Sequence, residues 1–474
     1  ANSVVGIDLT NDTIDQVDKA GTHTQHASGL TGMANNDIFG FSVDLDGGTF
    51  QMYRNGSTYG SSYNLDDLAD WQTHGMTPTA TGDTYMAYRF NFGQDSSFAG
   101  NHATSNSNAD SNGHGSFAYA PPSGYLALCS QNLPTPDIID GTENFNTVLY
   151  TGNGSTQSIT GVGFGSAPDF VWIKSRTSAL NHMVFDSVRG ASKYIQTSTT
   201  AAEGFSSGNF LSDFDSDGFT LQGQTAVNKS SDAFAAWNWK AGGTAVSNTA
   251  GTITSQVSAN PTAGFSIASY TGNSTAGSTV GHSLGVAPDM IIVKSRDNAR
   301  DWRVYHSSLG ATKALDLNTT NAVQGPSSAY WNSTDPTSSV FSIGNVTTVN
   351  GNNENYIAYC FANTDGYSKA GSYTGNTSAD GAFVYTGFRP AWVLWKSATS
   401  AGDDWFIVDS TRSTFNVVDT YLRASQSTAE QTFTLLDFVS NGFKLRASSG
   451  AINDATTFIF LAFAEQPFKF ANAR

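Results

Sequence analysis

Hydrophobic and polar positions run in the same order through three stretches of this chain. Each opens on Tyr-Thr-Gly-Asn, at Tyr150, Tyr270 and Tyr373. An apolar strand ending in Lys follows (Phe170 to Lys174, Met290 to Lys294, Trp392 to Lys396), then a matched segment from Asn181, Asp301 and Asp403, and finally an aromatic strand. In that last strand, period-two spacing puts Ala235, Trp237 and Trp239 on one face, matched by Ile357, Tyr359 and Phe361 and by Ile459, Leu461 and Phe463, and predicts that this face is core in all three copies. The Lys-ending strands (FVWI from Phe170, MIIV from Met290, WVLW from Trp392) are apolar on both faces, which an antiparallel sheet with one wetted side does not need. A loop of the same copy, a neighbouring copy or another chain must cover the second face.

The repeats lie roughly 100 residues or more apart, far above solenoid periods, so each copy is long enough to bury its own core. The pattern predicts an all-β chain of tandem antiparallel β-sandwich domains, jelly-roll or concanavalin-like, strung as beads. The expected divisions are an N-terminal sandwich over 1–136, module 1 over 137–243, a Gly/Ser/Thr/Asn linker over 244–261, module 2 over 262–363 and module 3 over 364–474. Modules 2 and 3 abut directly, which predicts the tighter junction there. Tandem copies point to adhesion or multivalent binding rather than to one privileged catalytic centre.

Composition agrees with short strands and many turns. Apolar residues make up 39% and charged residues 13%, Gly, Ser, Thr and Asn fill the difference, and Glu occurs five times. A net charge of −16 without a basic stripe argues against nucleic acid as a partner. The longest apolar runs are strand-length, so membrane insertion is not expected. The opening ANSVVGIDLT, without Met or a basic segment, is that of a processed or partial chain. Cys129 and Cys360 both sit in apolar strands and read as buried thiols.

Several motifs invite a chemical reading. Gly281-His282-Ser283-Leu284-Gly285 fits a nucleophile elbow, but module 1 makes the same turn with Gly161-Val162-Gly163-Phe164-Gly165, and no helix pattern follows. Asp213, Asp215 and Asp217 have the spacing that opens a calcium loop; Gln224 stands where a bidentate Glu is wanted, and Asn or Asp in a tight turn is the plainer reading. The pairs Asp66-Asp67 and Asp403-Asp404 alternate faces on a strand and cannot flank one bond. No residue is therefore expected to be catalytic or to bind a cofactor, and calcium is the sole metal with any candidate. For recognition the candidates are Tyr150, Tyr270 and Tyr373, each beside a Gly-Asn turn where a ring can stack on a sugar, although packing at a strand end is the plainer reading, and His102 and His114 in a polar insertion over 96–116, where solvated side chains are the plainer reading.

Residues 28 to 130 resemble the second half of a SPRY domain, on Val43-Asp44-Leu45-Asp46, the Asn55-Gly56 hairpin, Phe90-Asn91-Phe92-Gly93-Gln94 and the closing PPSGYLAL to Leu128. That resemblance implies a bent two-sheet sandwich used for protein recognition without catalysis. Residues 138 to 474 resemble a module found in tandem in virion proteins of marine bacteriophages, tail-fibre-like appendages above all, on FNTVLYTGNG, APDFVWIKSR, DFDSDGFTL and LAFAEQPFKFANAR. It implies a non-enzymatic structural or receptor-binding component on the surface of a phage particle, most simply a tail fibre. A homotrimer, other virion proteins as neighbours and a host receptor or glycan as target go with that reading. A capsid decoration protein and a glycan-degrading tailspike are the alternatives.

Overall fold

Every closing strand has two buried faces, and this decides the architecture. The computed structural model describes residues 4–8, 13–17, 23–27, 37–44, 47–64, 95–97, 107–132, 137–206 and 209–465, and the chain divides into two compact units, 1–134 and 135–474. It is all-β, as expected, with antiparallel sheets and only short helical turns.

In the second unit each module is a two-layer sandwich. Module 1 has an inner sheet ordered Gly204–Phe205, Lys193–Gln196, Met183–Asp186, Phe170–Ser175, Ala233–Trp239, Phe145–Thr151, and an outer sheet of Leu211–Asp215, Gly218–Leu221 and Gln157–Thr160. Between the two lie Val171, Ile173, Phe185, Phe219, Phe234 and Ala236. Modules 2 and 3 repeat this packing around Ile291, Val293, Tyr356 and Ala358 and around Val393, Trp395, Phe458 and Phe460. In module 3 the inner and outer sheets run on into one another through Val418–Arg423 and Gln431–Val439.

The face carrying Trp237, Tyr359 and Leu461 is buried in equivalent positions in all three modules, as the periodicity predicts, but it does not face into its own sandwich. It enters a fourth core shared by all three modules, with Phe145, Trp172 and Trp239 from the first, Phe265, Ile292, Trp302 and Phe361 from the second, and Trp392, Leu394, Trp405 and Phe463 from the third. The Phe145 and Phe463 rings stack at 4.9 Å and Trp239 meets Trp392 edge-on at 5.5 Å. A void of about 10 Å³ lies in this shared core, lined by side chains of all three modules that are mostly apolar, with Thr197 among them, at the lower limit for one water. The modules are therefore not beads. The second face of each Lys-ending strand is covered by neighbouring modules of the same chain, so those faces do not call for another chain.

Two expected divisions change. The 244–261 linker is part of module 2, whose inner sheet begins with Val246–Asn248 and Ser255–Asn260. Its strands are hard to see in sequence because the buried residues are small: Ser255 and Ser258 lie inside with Val257. The junction of modules 2 and 3 holds no special place, since modules 3 and 1 are joined equally directly through Arg176 and Glu430.

Within the first unit, Val4–Asp8, Thr13–Val17 and His23–Ala27 form one antiparallel sheet, and Phe39–Asp44, Thr49–Arg54, Ser57–Thr58 and Tyr63–Asn64 another, around Phe50, Met52 and Tyr63. The Asn55-Gly56 turn is formed, with both residues at positive φ (52° and 82°) as a tight hairpin requires. Residues 121–128, expected as a closing strand, run as turns and extended chain, and Cys129 is half-buried in a turn rather than in a strand. Phe90 to Gln94, Asp66, Asp67 and His102 lie outside the described residues.

Candidate functional site

The Tyr-Thr-Gly-Asn motif, the leading recognition candidate, is a clamp. Tyr270 and Tyr373 are buried and Tyr150 is half-buried. Each hydroxyl donates to a carbonyl in or beside a one-turn helix: Tyr150 to Val227 (2.6 Å, helix Thr225–Asn228), Tyr270 to Val349 (2.7 Å, helix Thr347–Asn350) and Tyr373 to Ile452 (2.8 Å, helix Gly450–Asn453). The last residue of each helix, Asn228, Asn350 and Asn453, is fully buried and accepts the backbone N–H of Asn153, Asn273 and Asn376. Glycine is required between them, because a Cβ at Gly152, Gly272 or Gly375 would lie 2.1–2.4 Å from a carbonyl oxygen of the helix end. The three tyrosines therefore do not present rings for stacking on a sugar.

Other candidates resolve similarly. Asp217 accepts the amides of Gly161 (3.1 Å) and Gly163 (2.8 Å), which hold its carboxyl below the ordinary range, and Asp215 accepts the Thr220 hydroxyl (2.7 Å). The carboxylates of Asp215 and Asp217 thus serve a hairpin and a loop, and Asp213 stands opposite Thr220 in the same hairpin. Among the described residues no group of three or more His, Cys, Asp or Glu could hold a metal ion. His282 is buried, takes the Leu284 amide on Nδ1 and turns Nε2 to the Thr337 carbonyl, while Ser283 accepts Asn248 Nδ2 (2.7 Å), so the elbow motif is a turn. His114 is half-buried, and its N–H donates to Asp110. Asp110 is a knot: it also accepts from Asn112 N, Ala127 N and Asn132 Nδ2. Burial opposes its charge, but these donors outweigh burial and hold it down to about 2. This part of the insertion is built into the first unit.

An open cleft of about 750 Å³ lies between Ser166–Asp169, Ser187, Phe214 and Lys240–Ala245. Its charged groups hold the chain leaving module 1: Asp169 accepts Ser187 Oγ, Ala241 N and Gly243 N, and Lys240 donates to the Phe164 carbonyl.

The densest polar chemistry sits in the seams between modules. Glu203 N–H of module 1 donates to Arg296 O of module 2, Val323 N–H of module 2 to Ala398 O of module 3, and Glu430 N–H of module 3 to Arg176 O of module 1, at 2.7–2.8 Å. Head-to-tail contacts that close after three steps make a ring. At the first seam Asp186, Arg189, Glu203 and Arg296 form a chain of ion pairs, and Tyr359 donates its hydroxyl to Asp186 (2.7 Å). Asp409, Arg412, Glu430 and Arg176 repeat it between modules 3 and 1, where Trp237 Nε1 donates to Asp409 (3.0 Å). Burial works against the charge on Glu203 and Glu430, but the paired arginines override it and hold both carboxyls low.

Between modules 2 and 3 all five positions are different. His306 replaces the Asp, Leu309 the Arg, Val323 the Glu, Ala398 the second Arg and Leu461 the aromatic donor. His306 donates from Nε2 to the Phe460 carbonyl (3.2 Å), and burial keeps its pKa down at about 4, hence neutral. Leu309 and Val323 pack on the shared core. Once Leu461 cannot donate, a carboxylate opposite it would be unsatisfied, and without the carboxylates the arginines would be uncompensated. This correlated change is visible in the three aligned repeats, which is how the seams could have been found from sequence.

Each seam is flanked by a buried lysine from a Lys-ending strand. Lys294 donates to Thr200 O (2.9 Å) of module 1, Lys396 reaches Thr320 O (3.5 Å) of module 2, and Lys174 donates to Ser175 O (2.6 Å) in its own turn. Burial lowers all three to about 8 despite nearby carboxylates. A folded pKa of about 8 against an unfolded 10.5 means that the unfolded chain holds more protons between those values, so this contribution to stability rises with pH there. The denaturation midpoint should rise from pH 8 to 9.5, and the rise should vanish when Lys174, Lys294 and Lys396 are all replaced by Met. An equal fall in both proteins would contradict it.

Among the described residues no helix is long and apolar enough to cross a membrane. No curated protein and no solved structure matches the chain. One family model does, over residues 140–467, a span that includes all three modules. The chain belongs to the family described as a domain of unknown function, DUF7483.

Proposed function

We propose that the chain is a non-enzymatic structural and receptor-binding component on the surface of a bacteriophage particle. The observation that carries this reading is that the three modules keep one core and differ on their outward faces. The outer sheet of module 1 turns Ser158, Thr160 and Asp215 outward, whereas module 2 covers the same edge with its own segment through Ile253. Varied surfaces on a common frame suit recognition, where several weak contacts engage one surface together. Resemblance to tandem modules of phage appendage proteins supplies the setting, with other virion proteins as neighbours and a host receptor or glycan as target. Closure of the modules into a ring favours a knob-like head of an appendage, or a decoration protein on the capsid, over the shaft of a fibre.

Labelled full-length chain should bind host cells or purified host glycans without releasing reducing ends. Removal of residues 98–106, which spares the Asp110 knot, should lower that binding more than it lowers the unfolding temperature. Release of reducing ends would make the protein a glycan-degrading enzyme and overturn the reading. Absence of binding, with labelled antibodies locating the chain on the capsid, would leave decoration as its role.

A further inference from the structure

The outward faces of modules 1 and 3 can be compared residue by residue. Strand register places Asp213, Thr220 and Ser158 in one row of module 1 and Asp437, Lys444 and Phe383 in the same row of module 3. The next row is Asp215, Gly218 and Thr160 in one, Val439, Gly442 and Tyr385 in the other. The register in these rows is the same, and the polar residues Asp215, Ser158 and Thr160 have become apolar or aromatic, so strand pairing itself does not call for the change. Phe383 and Tyr385 are 49% and 58% exposed. Beside Phe438, the Asn416 side chain donates to its carbonyl (2.8 Å) and accepts its N–H (2.9 Å), which sets the exposed Phe415 and Val417 along the other edge of the same strand. In module 2 the corresponding strand carries Thr279, already bonded to Thr252 and Ile253 of the chain's own cover.

We propose that this face of module 3 docks a second copy of the chain, outer sheet against outer sheet, about a twofold axis. The polar groups along the patch indicate the occupant. The exposed Asp380 pairs with Lys444 (2.8 Å) and the buried Asp437 with Arg446 (2.5 Å), so that acids and bases balance there in a chain of net charge −16. This locally neutral area is a place where two strongly acidic copies can approach, and a twofold axis can set the exposed Asp380 of one copy toward Lys444 of the other. Lys444, Arg446 and Asp437 are paired with charges of their own sheet, whereas a glycan needs directional donors and acceptors. Apolar side chains on a sheet face call for another apolar face at the usual sheet spacing of about 10 Å.

The test is the oligomeric state of the full chain by light scattering and sedimentation across a dilution series. A dimer is expected, and Phe383→Ser with Tyr385→Thr, the residues module 1 carries at these positions, should raise its dissociation constant at least about tenfold while the unfolding temperature of the dilute protein holds. Asp380→Lys should also weaken the dimer, and adding Lys444→Asp should restore it, a readout independent of any loss of fold in the first variant. A chain that stays monomeric at high concentration, or an oligomer indifferent to both sets of substitutions, overturns the proposal. So does a monomer whose host-cell binding is lost in the Phe383/Tyr385 variant, since the face would then belong to a receptor.

Discussion

Replacing Arg412 by Leu should cost about 3–5 kcal/mol, the range for stripping one partner from a buried ion pair. Arg412 and Asp409 are wholly buried; the guanidinium pairs with Asp409 at 2.6 Å and Glu430 at 3.0 Å and donates to the Ile407 carbonyl at 3.0 Å. Leu cannot satisfy any of these groups, and Asp409 would keep Trp237 Nε1 as its one side-chain donor besides the Arg412 backbone amide. Yet Leu is the residue that module 2 carries at this place, as Leu309. The cost should therefore shrink when the whole set is changed to that of the neutral seam: Asp409→His, Glu430→Val, Arg176→Ala and Trp237→Leu together with Arg412→Leu. Chemical denaturation of the single and fivefold variants checks this. If the fivefold variant is at least as unstable as the sum of its single substitutions, the five positions do not form one interchangeable unit.

That experiment also marks how far the sequence could be read. The closing strands and the face they bury were legible because alternation is local: Trp237, Tyr359 and Leu461 need only their own strand to declare themselves. The two-faced apolar strands showed that a second cover was needed, and the pattern could not say which element supplied it, because the covering residues lie far along the chain. Arg176 and Glu430 are the extreme case. The tyrosines left two readings open, ring stacking and strand-end packing, for the same reason. A Tyr beside a Gly-Asn turn looks exposed until one sees that Asn228, Asn350 and Asn453, far along in sequence, pull the turn inward. Strands made of small residues, such as Ser255–Asn260, carry too little apolar contrast to be told from a linker. Exposed Phe383 and Tyr385 were legible in principle, since aligned repeats set them against Ser158 and Thr160.

Truncating Trp237 to Ala should cost about 3–5 kcal/mol through the cavity left behind, and the loss should be felt in all three modules. The indole is completely buried, meets Trp172 edge-on at 5.7 Å and Trp392 at 6.5 Å, lies under the Arg412 guanidinium, and donates to Asp409. Three of those four partners sit on either side of a module boundary from it or bridge one, so the void opens in the shared core and not inside one sandwich. Independent beads would give a different result, with module 1 melting earlier and the other two unaffected. A ring held by one core should instead unfold in a single transition at a lower denaturant concentration. Amide exchange should quicken together in Ala233–Trp239, Asn355–Phe361 and Thr457–Ala464, the three closing strands. Faster exchange confined to Ala233–Trp239 would mean that the modules, though packed together, do not depend on one another for stability.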